Sequence, residues 1–574
     1  MAMLPSTVRA RAVPATIAMV LVFGAASLAV VQEAHAAKIY VNASSTSSSP
    51  DGTSWSKAYT RLQDALDKAA AKQGADEIWV AKGTYTPTMT YTPGGIPGGA
   101  YGRDNPGAAD IANGNFRTFN LPDKVTILGG FKGDGSDKRD PVNTPTVLDG
   151  GDFVYHVVTA GDDVAQTGVT ATLDGLTITR GNATGAAGGG FFDAFAYQHN
   201  YGGGLYIAFG SDITVKNVSF VYNRTAPFSA ANAGDGAGLF ANSSDVKITD
   251  SYFGNNVSGL RGGALEILNT FEGAKPHTSS ISKTIFDSNV TGLFGGAIVG
   301  EGTFPHPKSR MDIDHSLFIN NEAIEGGAIV FDSLTTNVQD TVFQSNHAFV
   351  NGGALSTTNV VDTIVYTAFG VTPVPFFTTT VKGSQFIGNV ADGNLATHDT
   401  AMFGGPNVSG IDFAVGGGAI VTYMNGYTDI ENSVFQDNLA LGGDGGAILN
   451  GASAAAGGFG AFAYDVQTTV KNSTFSGNSA PAGNGGAIAS LRDPRTGTAP
   501  NFQIAARENT RFVINNSSLD NNSAGGKGGG AYFDYSTADF KNNKFTRNSA
   551  NAVGNAIYAR DSIINGMLMG TYTQ

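Results

Sequence analysis

A short tetrad, Phe-x-x-Asn, recurs through the sequence and restricts the possible folds more than any other feature. Nine copies begin with phenylalanine and end with asparagine: Phe220 and Asn223, Phe253 and Asn256, Phe286 and Asn289, Phe318 and Asn321, Phe343 and Asn346, Phe386 and Asn389, Phe435 and Asn438, Phe475 and Asn478, Phe545 and Asn548. A tenth copy has Leu519 in place of the phenylalanine, followed by Asn522. A Gly-Gly-Ala-apolar element usually follows the tetrad, for example at Gly262–Leu265, Gly295–Ile298, Gly326–Ile329, Gly352–Leu355, Gly445–Ile448 and Gly485–Ile488. The phenylalanine lies 8 to 10 residues before these glycines, so the tetrad and the glycines belong to one repeating unit.

The residues that precede each tetrad alternate between apolar and polar side chains. Asp212–Phe220 and Asp245–Phe253 show this alternation, which predicts strands with one buried face. A single unit is too short to bury its own apolar face, so successive units must stack with their strands about 4.8 Å apart. We therefore predict an all-β fold, a right-handed single-stranded parallel β-helix.

Each repeated residue type has a predicted place in such a stack. The phenylalanines form an internal column. The asparagine suits a tight bend because it tolerates left-handed backbone angles, and its amide can also bond to backbone or to the asparagine one coil away. Gly-Gly supplies corners where a Cβ atom would clash, and the alanine is small enough for the inside of the corner.

This repeat resembles the polymorphic outer membrane protein repeat, a family marked by GGA[ILV] and FxxN. The resemblance extends from about Gly202 to about Ile557. The preceding segment resembles the N-terminal part of secreted bacterial β-helix proteins, in Ile39–Asn42, Glu77–Tyr85 and Leu173–Thr179. The resemblance implies a pectin-lyase-like fold and a secreted or surface-exposed role. It leaves the chemistry open, since that scaffold carries both adhesins and polysaccharide enzymes.

The first residues resemble an export signal. Arg9 and Arg11 precede an apolar run over 15–31, and Ala34 and Ala36 form a small-x-small cleavage site. We predict a signal peptide over 1–36, with an uncleaved anchor as the alternative, and a location outside the cell or on the surface of a bacterium. Since only 17 residues follow Ile557, we expect a passenger-like chain without an autotransporter barrel.

The mature chain divides into three predicted parts. Residues 37–180 form an N-terminal cap and the first coils, 181–560 the repeat-bearing β-helix with glycine- and aromatic-rich insertions, and 561–574 a tail or cap. Leu62, Ala65, Leu66 and Ala69 are spaced as on one face of a helix, which predicts a short capping helix over roughly 56–72. At the other end, residues 567–569 are expected to close the stack.

Composition excludes several functional classes. The chain of 574 residues has no cysteine, which rules out disulfides, cysteine-ligated metals and a cysteine nucleophile. Its net charge of −13 makes nucleic-acid binding unfavourable. We expect no cofactor and no metal, with calcium at Asp235 or Asp444 as the alternative, because aspartates in glycine-rich turns can supply oxygen ligands.

The sequence contains weak catalytic candidates. Asp312, Asp314 and His315 lie in a segment that resembles an element of pectate lyases. The same segment occupies a regular position in its repeat, so the alternative is that these residues are ordinary polar residues of an outer strand face. The arginine motif that would accompany the element is absent, since Arg492 and Arg495 have the wrong spacing.

Two insertions repeat an aromatic pattern. The residues concerned are Phe192, Phe195 and Tyr197 in one insertion and Phe459, Phe462 and Tyr464 in the other. Aromatic rings flanked by glycine are suited to stacking on sugars or docking a protein. The alternative is that they fold back over the side of the β-helix.

A strong scaffold signal beside weak catalytic signals favours a secreted or surface-displayed adhesin or structural scaffold. Its expected partners are extracellular polysaccharide or a surface or host protein. The alternatives are a polysaccharide lyase or glycoside hydrolase with an unrecognised site on the side wall, and a self-assembling envelope component. The sequence does not determine the oligomeric state.

Overall fold

The computed structural model describes residues 37–72, 76–89, 114–163, 165–185, 199–228, 233–269, 276–302, 309–359, 377–393, 415–423, 426–452, 466–492 and 510–566. The chain divides into the units Met1–His35 and Ala36–Gln574, and every described residue belongs to the second. The predicted signal peptide over 1–36 and the predicted closing residues 567–569 lie outside the described residues.

The described residues form four sheets in which all paired strands are parallel. Sheet 1 consists of Ala37–Val41, Asp76–Ala81, Val125–Phe131, Thr170–Asp174, Asp212–Lys216, Asp245–Thr249, Thr278–Ser282, Arg310–Asp314, Thr335–Gln339, Thr378–Lys382, Tyr427–Glu431, Val466–Lys471, Thr510–Asn515, Thr537–Lys541 and Ile563–Asn565. Sheet 2 consists of Gly83–Tyr85, Thr146–Asp149, Thr177–Thr179, Ser219–Val221, Tyr252–Gly254, Ile285–Asp287, Leu317–Ile319, Val342–Gln344, Gln385–Ile387, Val434–Gln436, Thr474–Ser476, Ser518–Asp520 and Lys544–Thr546.

The other two sheets complete each coil. Sheet 3 consists of Asn182–Ala183, Arg224–Thr225, Val257–Ser258, Val290–Thr291, Glu322–Glu325, His347–Asn351, Val390–Ala391, Leu439–Ala440, Ser479–Ala480, Ser523–Ala524 and Ser549–Ala550. Sheet 4 consists of Phe119–Leu121, Val158–Ala160, Leu205–Ile207, Leu239–Asn242, Leu265–Asn269, Ile298–Gly302, Ile329–Asp332, Leu355–Thr358, Ile420–Tyr423, Ile448–Ala452, Ile488–Arg492, Ala531–Asp534 and Ile557–Arg560.

In the repeat region the chain visits sheets 1, 2, 3 and 4 in turn and then returns to sheet 1 one coil further on. Each strand pairs with the equivalent strand of the next coil, as in the register of Phe220 with Phe253. This topology confirms the predicted right-handed parallel β-helix. Sheet 1 continues past residue 560, since its last strand is Ile563–Asn565.

The tetrad phenylalanines form a column inside the β-helix. From Phe220 to Phe475, eight successive rings stack with centroids 4.6 to 5.0 Å apart, and each ring is completely buried. Leu519 continues the column in register with Phe475. Stacking at the strand spacing keeps apolar contact continuous from coil to coil.

The tetrad asparagines form a second internal column. The Asn321 side-chain amide donates to the carbonyl of Phe286 at 3.0 Å and to Asn346 Oδ1 at 2.9 Å, and its Oδ1 accepts from Asn289. The predicted bond to the asparagine one coil away is therefore confirmed. The predicted left-handed bend at the asparagine is wrong, because the residue before it has that conformation, as at Asn320 with φ of 56°.

The Gly-Gly elements form the corner at which the chain enters sheet 4. The first glycine has a left-handed backbone, with φ of 62° at Gly295. A Cβ atom on the second, Gly296, would lie 2.1 Å from the carbonyl oxygen of Gly327 in the next coil. Both glycines are therefore required, and the following Ala297 is completely buried, as the sequence predicts.

A capping helix covers the first coils. The α-helix Leu62–Lys72 follows a 3-10 turn at Trp55–Lys57, within the predicted range. Leu62, Ala65, Leu66 and Ala69 are buried in the main core, together with residues of the first strands of sheet 1. Because this helix lies over the end of the stack, it shields apolar side chains that no preceding coil covers.

Candidate functional site

The predicted catalytic residues Asp312, Asp314 and His315 lie on the outside of sheet 1. Their strand, Arg310–Asp314, turns Met311 and Ile313 into the core and leaves the aspartates outward. Asp312 Oδ1 accepts from Arg310 at 2.7 Å and from Asn337 at 2.9 Å. These bonds join Asp312 to its own strand and to the next coil.

His315 occupies the corner between sheets 1 and 2. It has a left-handed backbone, as Lys283 and Asp340 have at the same corner of the adjacent coils. Its Nδ1 lies 2.9 Å from Asp314 Oδ2, and its Nε2 lies 3.8 Å from Asp340 Oδ2. The candidates therefore belong to two separate groups of polar side chains at regular repeat positions, Asp312 in one and Asp314 with His315 in the other. A catalytic role for them stays a prediction.

The other predicted site residues divide into two groups. The predicted ligand-facing aromatics, Phe192, Phe195, Tyr197, Phe459, Phe462 and Tyr464, all lie outside the described residues. The tetrad residues form the two internal columns and act in the structure of the coil.

Ionisable side chains collect instead on the outer side of sheet 4. Glu266 points outward from the strand Leu265–Asn269, and Glu301 from the strand Ile298–Gly302. Asp235, Arg261 and Glu325 each come directly before the left-handed glycine of their corner. Although they face away from the core, all five residues are largely or fully buried.

In the sequence, the connections before and after the strands of sheet 4 vary most in length. Residues 186–198, 229–232 and 394–414 connect sheet 3 to sheet 4, and residues 270–275, 303–308, 360–376, 453–465 and 493–509 connect sheet 4 to sheet 1. The buried ionisable residues therefore lie on the strands and corners between which the chain varies most in length. Such variable connections on a regular scaffold are a common location for functional sites.

Arg261 is the centre of the largest of these charge clusters. Its Nη1 contacts Glu301 and lies 3.7 Å from Glu266 Oε1. Burial raises the pKa of Asp235 to about 7, and it raises the pKa of Glu266 well above the ordinary value. Three buried carboxyls share one guanidinium, so the raised pKa values of Asp235 and Glu266 favour their protonated forms, which relieves the excess negative charge.

Glu266 has an ion pair with Arg261 at 3.7 Å but no closer polar contact with the described part of the chain. Among the described residues, no donor lies within hydrogen-bond distance of either of its carboxyl oxygens. Its side chain is completely buried. A completely buried carboxyl with a raised pKa and no close hydrogen bond is a candidate for a functional site.

Two more carboxyls near sheet 4 have raised pKa values. Glu325 Oε1 accepts from Ser356 Oγ at 2.6 Å and from the Tyr423 hydroxyl at 2.5 Å, and burial raises its pKa to about 7. Asp163 accepts from the Tyr206 hydroxyl at 2.5 Å, and burial raises its pKa to about 7 as well. Carboxyls that titrate near neutral pH can both donate and accept a proton, as general acid and base catalysis requires.

No group of three histidine, aspartate or glutamate side chains within the described residues is arranged to hold a metal ion. Asp444, one of the calcium candidates, accepts from the backbone and side-chain amides of Asn484 at 2.6 and 3.0 Å. Asp235, the other candidate, lies in the Arg261 cluster. Both candidates therefore interact with nitrogen donors of the protein.

The sequence contains a weak signal for this cluster. Charged residues stand directly before the corner glycine in five copies, at Asp235, Arg261, Glu325, Asp444 and Lys527, and the first three belong to the carboxyl-rich part of sheet 4. Glu266 has a weaker signal, a charge inside an otherwise apolar strand. Neither signal shows which of these residues face one another.

Two grooves lie on the opposite side of the coil, along the two edges of sheet 2. The first has a volume of about 650 Å³ and lies at the corner of sheets 1 and 2, where its lining includes Arg139, Lys283 and Tyr252. The second has a volume of about 600 Å³ and lies at the corner of sheets 2 and 3, where its lining includes Arg180 and Tyr222. Both volumes are within the range of small-ligand sites.

Comparison with protein families finds one match. The family model of the Chlamydia polymorphic membrane protein repeat matches residues 472–491, which contain one Phe-x-x-Asn tetrad and one Gly-Gly-Ala element. No curated protein matches this sequence. Within the described residues, no helix has the length and apolar character needed to cross a membrane.

Solved structures with similar architecture include enzymes and an adhesin. The catalytic domain of a GH87 alpha-1,3-glucanase in complex with tetrasaccharides is 10% identical, with 93% of this chain and 68% of that chain covered and a TM-score of 0.36. PfbA, a surface adhesin of Streptococcus pneumoniae, is 14% identical, with 86% of each chain covered and a TM-score of 0.33. Pectate lyase Pel9A is 13% identical, with 92% of this chain and 79% of that chain covered and a TM-score of 0.29.

Proposed function

We propose that this protein is an exported β-helix that acts as a binding scaffold, an adhesin, outside the cell or on the surface of a bacterium. The observation that carries the proposal is the continuous outer surface of sheets 1 and 2. On successive coils, residues such as Thr214, Lys247 and Ser280 occupy one outward row in register, and each is at least partly exposed. A partner therefore meets a repeated polar surface instead of a single pocket.

Charges on this surface pair between coils. Arg511 lies 2.6 Å from Asp539, and Lys382 lies 3.7 Å from Glu431. Such exposed pairs each add about 0–1 kcal/mol to stability, so their loss to a partner costs little. The outer surface can exchange these internal pairs for contacts with a ligand while the internal columns maintain the fold.

The export signal supports the extracellular part of the proposal. Residues 1–36 have the positive start, apolar run and small-x-small site of a signal peptide. A chain without cysteine needs no oxidative folding after export. Its stability then depends on the ladders and columns described above.

The test is binding by the purified chain 37–574 to immobilised polymers. The panel contains neutral polysaccharides, uronate polysaccharides and extracellular matrix proteins, with an equally acidic globular protein as control. We expect saturable binding to at least one class. Absence of binding to every class would contradict the proposed function.

A second candidate function is cleavage of a polysaccharide, and the Arg261 cluster favours it. Two carboxyls with raised pKa values beside a guanidinium can supply an acid, a base and charge neutralisation. The test incubates the chain with the same polysaccharides and measures new reducing ends and unsaturated products. Product formation by the wild type that Glu266→Gln abolishes, while Asp312→Asn retains it, would favour the enzyme over the adhesin.

A further inference from the structure

The outer face of sheet 2 carries two tyrosines between the two grooves. Tyr252 begins the strand Tyr252–Gly254, and Tyr222 lies at the corner that follows the strand Ser219–Val221 one coil earlier. Tyr252 lines the first groove and Tyr222 lines the second. The two rings therefore lie on the surface that joins the grooves.

Tyr252 lies flat along its own strand. A Cβ atom on Gly254 would come within 2.4 Å of the Tyr252 hydroxyl oxygen and 2.5 Å of the ring carbon Cε1. In register with Gly254, the neighbouring coils have Val221 and Asp287, whose side chains would occupy this space. The glycine thus makes room for the ring. The Tyr252 hydroxyl donates to Asp287 Oδ2 at 3.3 Å, which holds the ring along the surface.

Tyr222 has an unfavourable backbone for its residue type. Its φ is 57°, in the left-handed region, where the same corner carries Asn255, Ser288 and Asn320 in the next three coils. A bulky side chain is disfavoured there, whereas asparagine and glycine are tolerated. The Tyr222 side chain is 62% exposed, so core packing does not compensate for the strain. Strain without a packing gain is typical of a functional position.

The Tyr252 ring extends towards the corner that carries Tyr222. The pKa of Tyr252 is raised by partial burial, by Asp287 and by the nearby Tyr222 phenol. The Tyr252 ring lies over Gly254, which pairs with Val221, the residue directly before Tyr222 on the adjacent coil.

Charged groups of both signs lie in the groove that Tyr252 lines. In the first groove, Lys283 and Asp250 are exposed, and neither forms an ion pair or a side-chain hydrogen bond among the described residues. Asn217 donates to Asp174 at 3.0 Å, and Arg139 pairs with the same carboxylate at 2.9 Å. Among the described residues, the first groove therefore contains an unpaired lysine, an unpaired aspartate and a hydrogen-bonded group around Asp174.

We propose that Tyr222, Tyr252 and the two grooves beside them form a binding site for a polysaccharide chain. The sugar rings lie on the tyrosine faces, and the hydroxyl groups bond to Lys283, Asp250 and the other polar side chains of the grooves. This inference rests on the proposed function and names its ligand class and its location.

The chemistry of the site favours a sugar over other polymers. A sugar ring has an apolar face for an aromatic ring and a rim of hydroxyls that both donate and accept hydrogen bonds. A stable protein partner needs about 800 Å² of surface with an apolar centre, whereas free charges lie directly beside these tyrosines. The net charge of −13 is unfavourable for nucleic acid.

The experiment measures binding of the chain 37–574 to soluble neutral glucans and to soluble alginate, a uronate polymer, by affinity electrophoresis. The variants are Tyr252→Ala, Tyr222→Gly and Tyr252→Phe. The matched control is Tyr535→Gly, because Tyr535 also has a left-handed backbone and an exposed side chain but lies at a different corner. Thermal unfolding checks that each variant folds, and Tyr222→Gly should unfold at the same or a higher temperature because it relieves strain.

We expect Tyr252→Ala and Tyr222→Gly each to weaken polysaccharide binding at least tenfold. Tyr252→Phe keeps the ring and should stay within about threefold of the wild type, and Tyr535→Gly should bind as the wild type does. Weaker binding of alginate by Lys283→Ala, without an effect on neutral glucan, would identify an acidic polymer as the ligand.

Two results would overturn the inference while the proposed function stands. The first is wild-type polysaccharide binding that both tyrosine variants retain. The second is binding to matrix proteins with no binding to any polysaccharide. If the wild type binds no polymer of any class, the proposed function itself fails.

Discussion

The asparagine of each tetrad shows how one side chain can specify the stacking of coils. Asn321 is completely buried, and it bonds upward and downward to the asparagines of the adjacent coils. Its third bond, to the Phe286 carbonyl, joins the asparagine column to the chain of the preceding coil. A single substitution therefore leaves polar groups unsatisfied in two coils at once.

We expect Asn321→Ala to lower the free energy of unfolding by about 3 kcal/mol, because the buried amide of Asn289 and the carbonyl of Phe286 lose their partner. Urea unfolding followed by circular dichroism measures the loss. The control is Asn320→Gly, since Asn320 is exposed and has a left-handed backbone that glycine accepts without strain. Equal losses in the two variants would contradict the ladder.

Glu325 predicts a pH dependence of stability. Its pKa is about 7 in the folded protein and ~4.3 when unfolded, so between these values the folded state keeps a proton that the unfolded state has lost. Stability contributed by this group is complete below about pH 4 and falls as the pH rises towards 7, by up to ~1.4 kcal/mol per pH unit. Glu325→Gln keeps an acceptor for Ser356 and Tyr423 but does not titrate.

The variant should therefore gain stability relative to the wild type between pH 5 and pH 8, as measured by urea unfolding at each pH. Burial lowers the pKa of His156 to about 4 and of His199 to about 3. As the pH falls below about 6.5, the unfolded state protonates these histidines before the folded state does, so their contribution to stability decreases, whereas that of Glu325 increases. They are present in both proteins, so the difference between the two curves isolates Glu325. A difference that does not change with pH would show that Glu325 does not titrate in this range.

At the scale of the element, the Gly-Gly corners determine the register of the strands of sheet 4. Sheet 4 begins directly after each Gly-Gly-Ala, and the close approach of consecutive corners fixes the register of the strands that follow. The phenylalanine column lies inside the same coil, where Leu519 shows that the position accepts another large apolar side chain. The corner is therefore more restrictive than the column.

Gly296→Ala tests the corner. We expect it to lower the free energy of unfolding by roughly 3 kcal/mol or more, because the new Cβ atom would lie 2.1 Å from the Gly327 carbonyl oxygen. Gly388→Ala is the matched control, since Gly388 has φ of 59° but no atom within 4 Å of the new methyl group.

For Gly388→Ala we expect a loss of about 1 kcal/mol, from the left-handed backbone alone. Urea unfolding compares the two variants. The outcome that would contradict the close approach of the corners is a loss at Gly296 no larger than the loss at Gly388.

At the scale of the whole molecule, the β-helix unit gains stability from repetition. Parallel ladders, the phenylalanine column and the asparagine column all run through successive coils, so each coil is stabilised by its neighbours. The chain has no cysteine, so this arrangement needs no disulfide.

The proposed signal peptide over 1–36 predicts a defined processing site. When the full chain is expressed in a bacterial host, the secreted protein should start at Ala37, as intact mass spectrometry would show. Ala36→Phe should leave the precursor uncleaved, because the site requires small residues at positions 34 and 36. His35→Phe changes only the middle position and should be processed normally. An uncleaved wild-type chain would favour the membrane-anchor alternative.

The sequence by itself determined the β-helix, the phenylalanine column, the glycine corners and the capping helix. These features follow from residues at a constant spacing, such as Phe318 and Gly326, because each coil must present the same group at the same place to its neighbours. Because every unit repeats the same pattern, the structure predicted for one coil also predicts the stack of coils.

Only the tertiary structure decided which residues outside the repeat lie together. Arg261, Glu266 and Glu301 are separated by up to 40 residues in sequence and meet because successive coils bring them into register. Tyr252 lies flat because Gly254 leaves space for it. Tyr222 lies at the corner because the residue directly before the tetrad asparagine has the left-handed backbone. Such contacts depend on side-chain direction and coil length, and a pattern of residue types along the chain does not specify either.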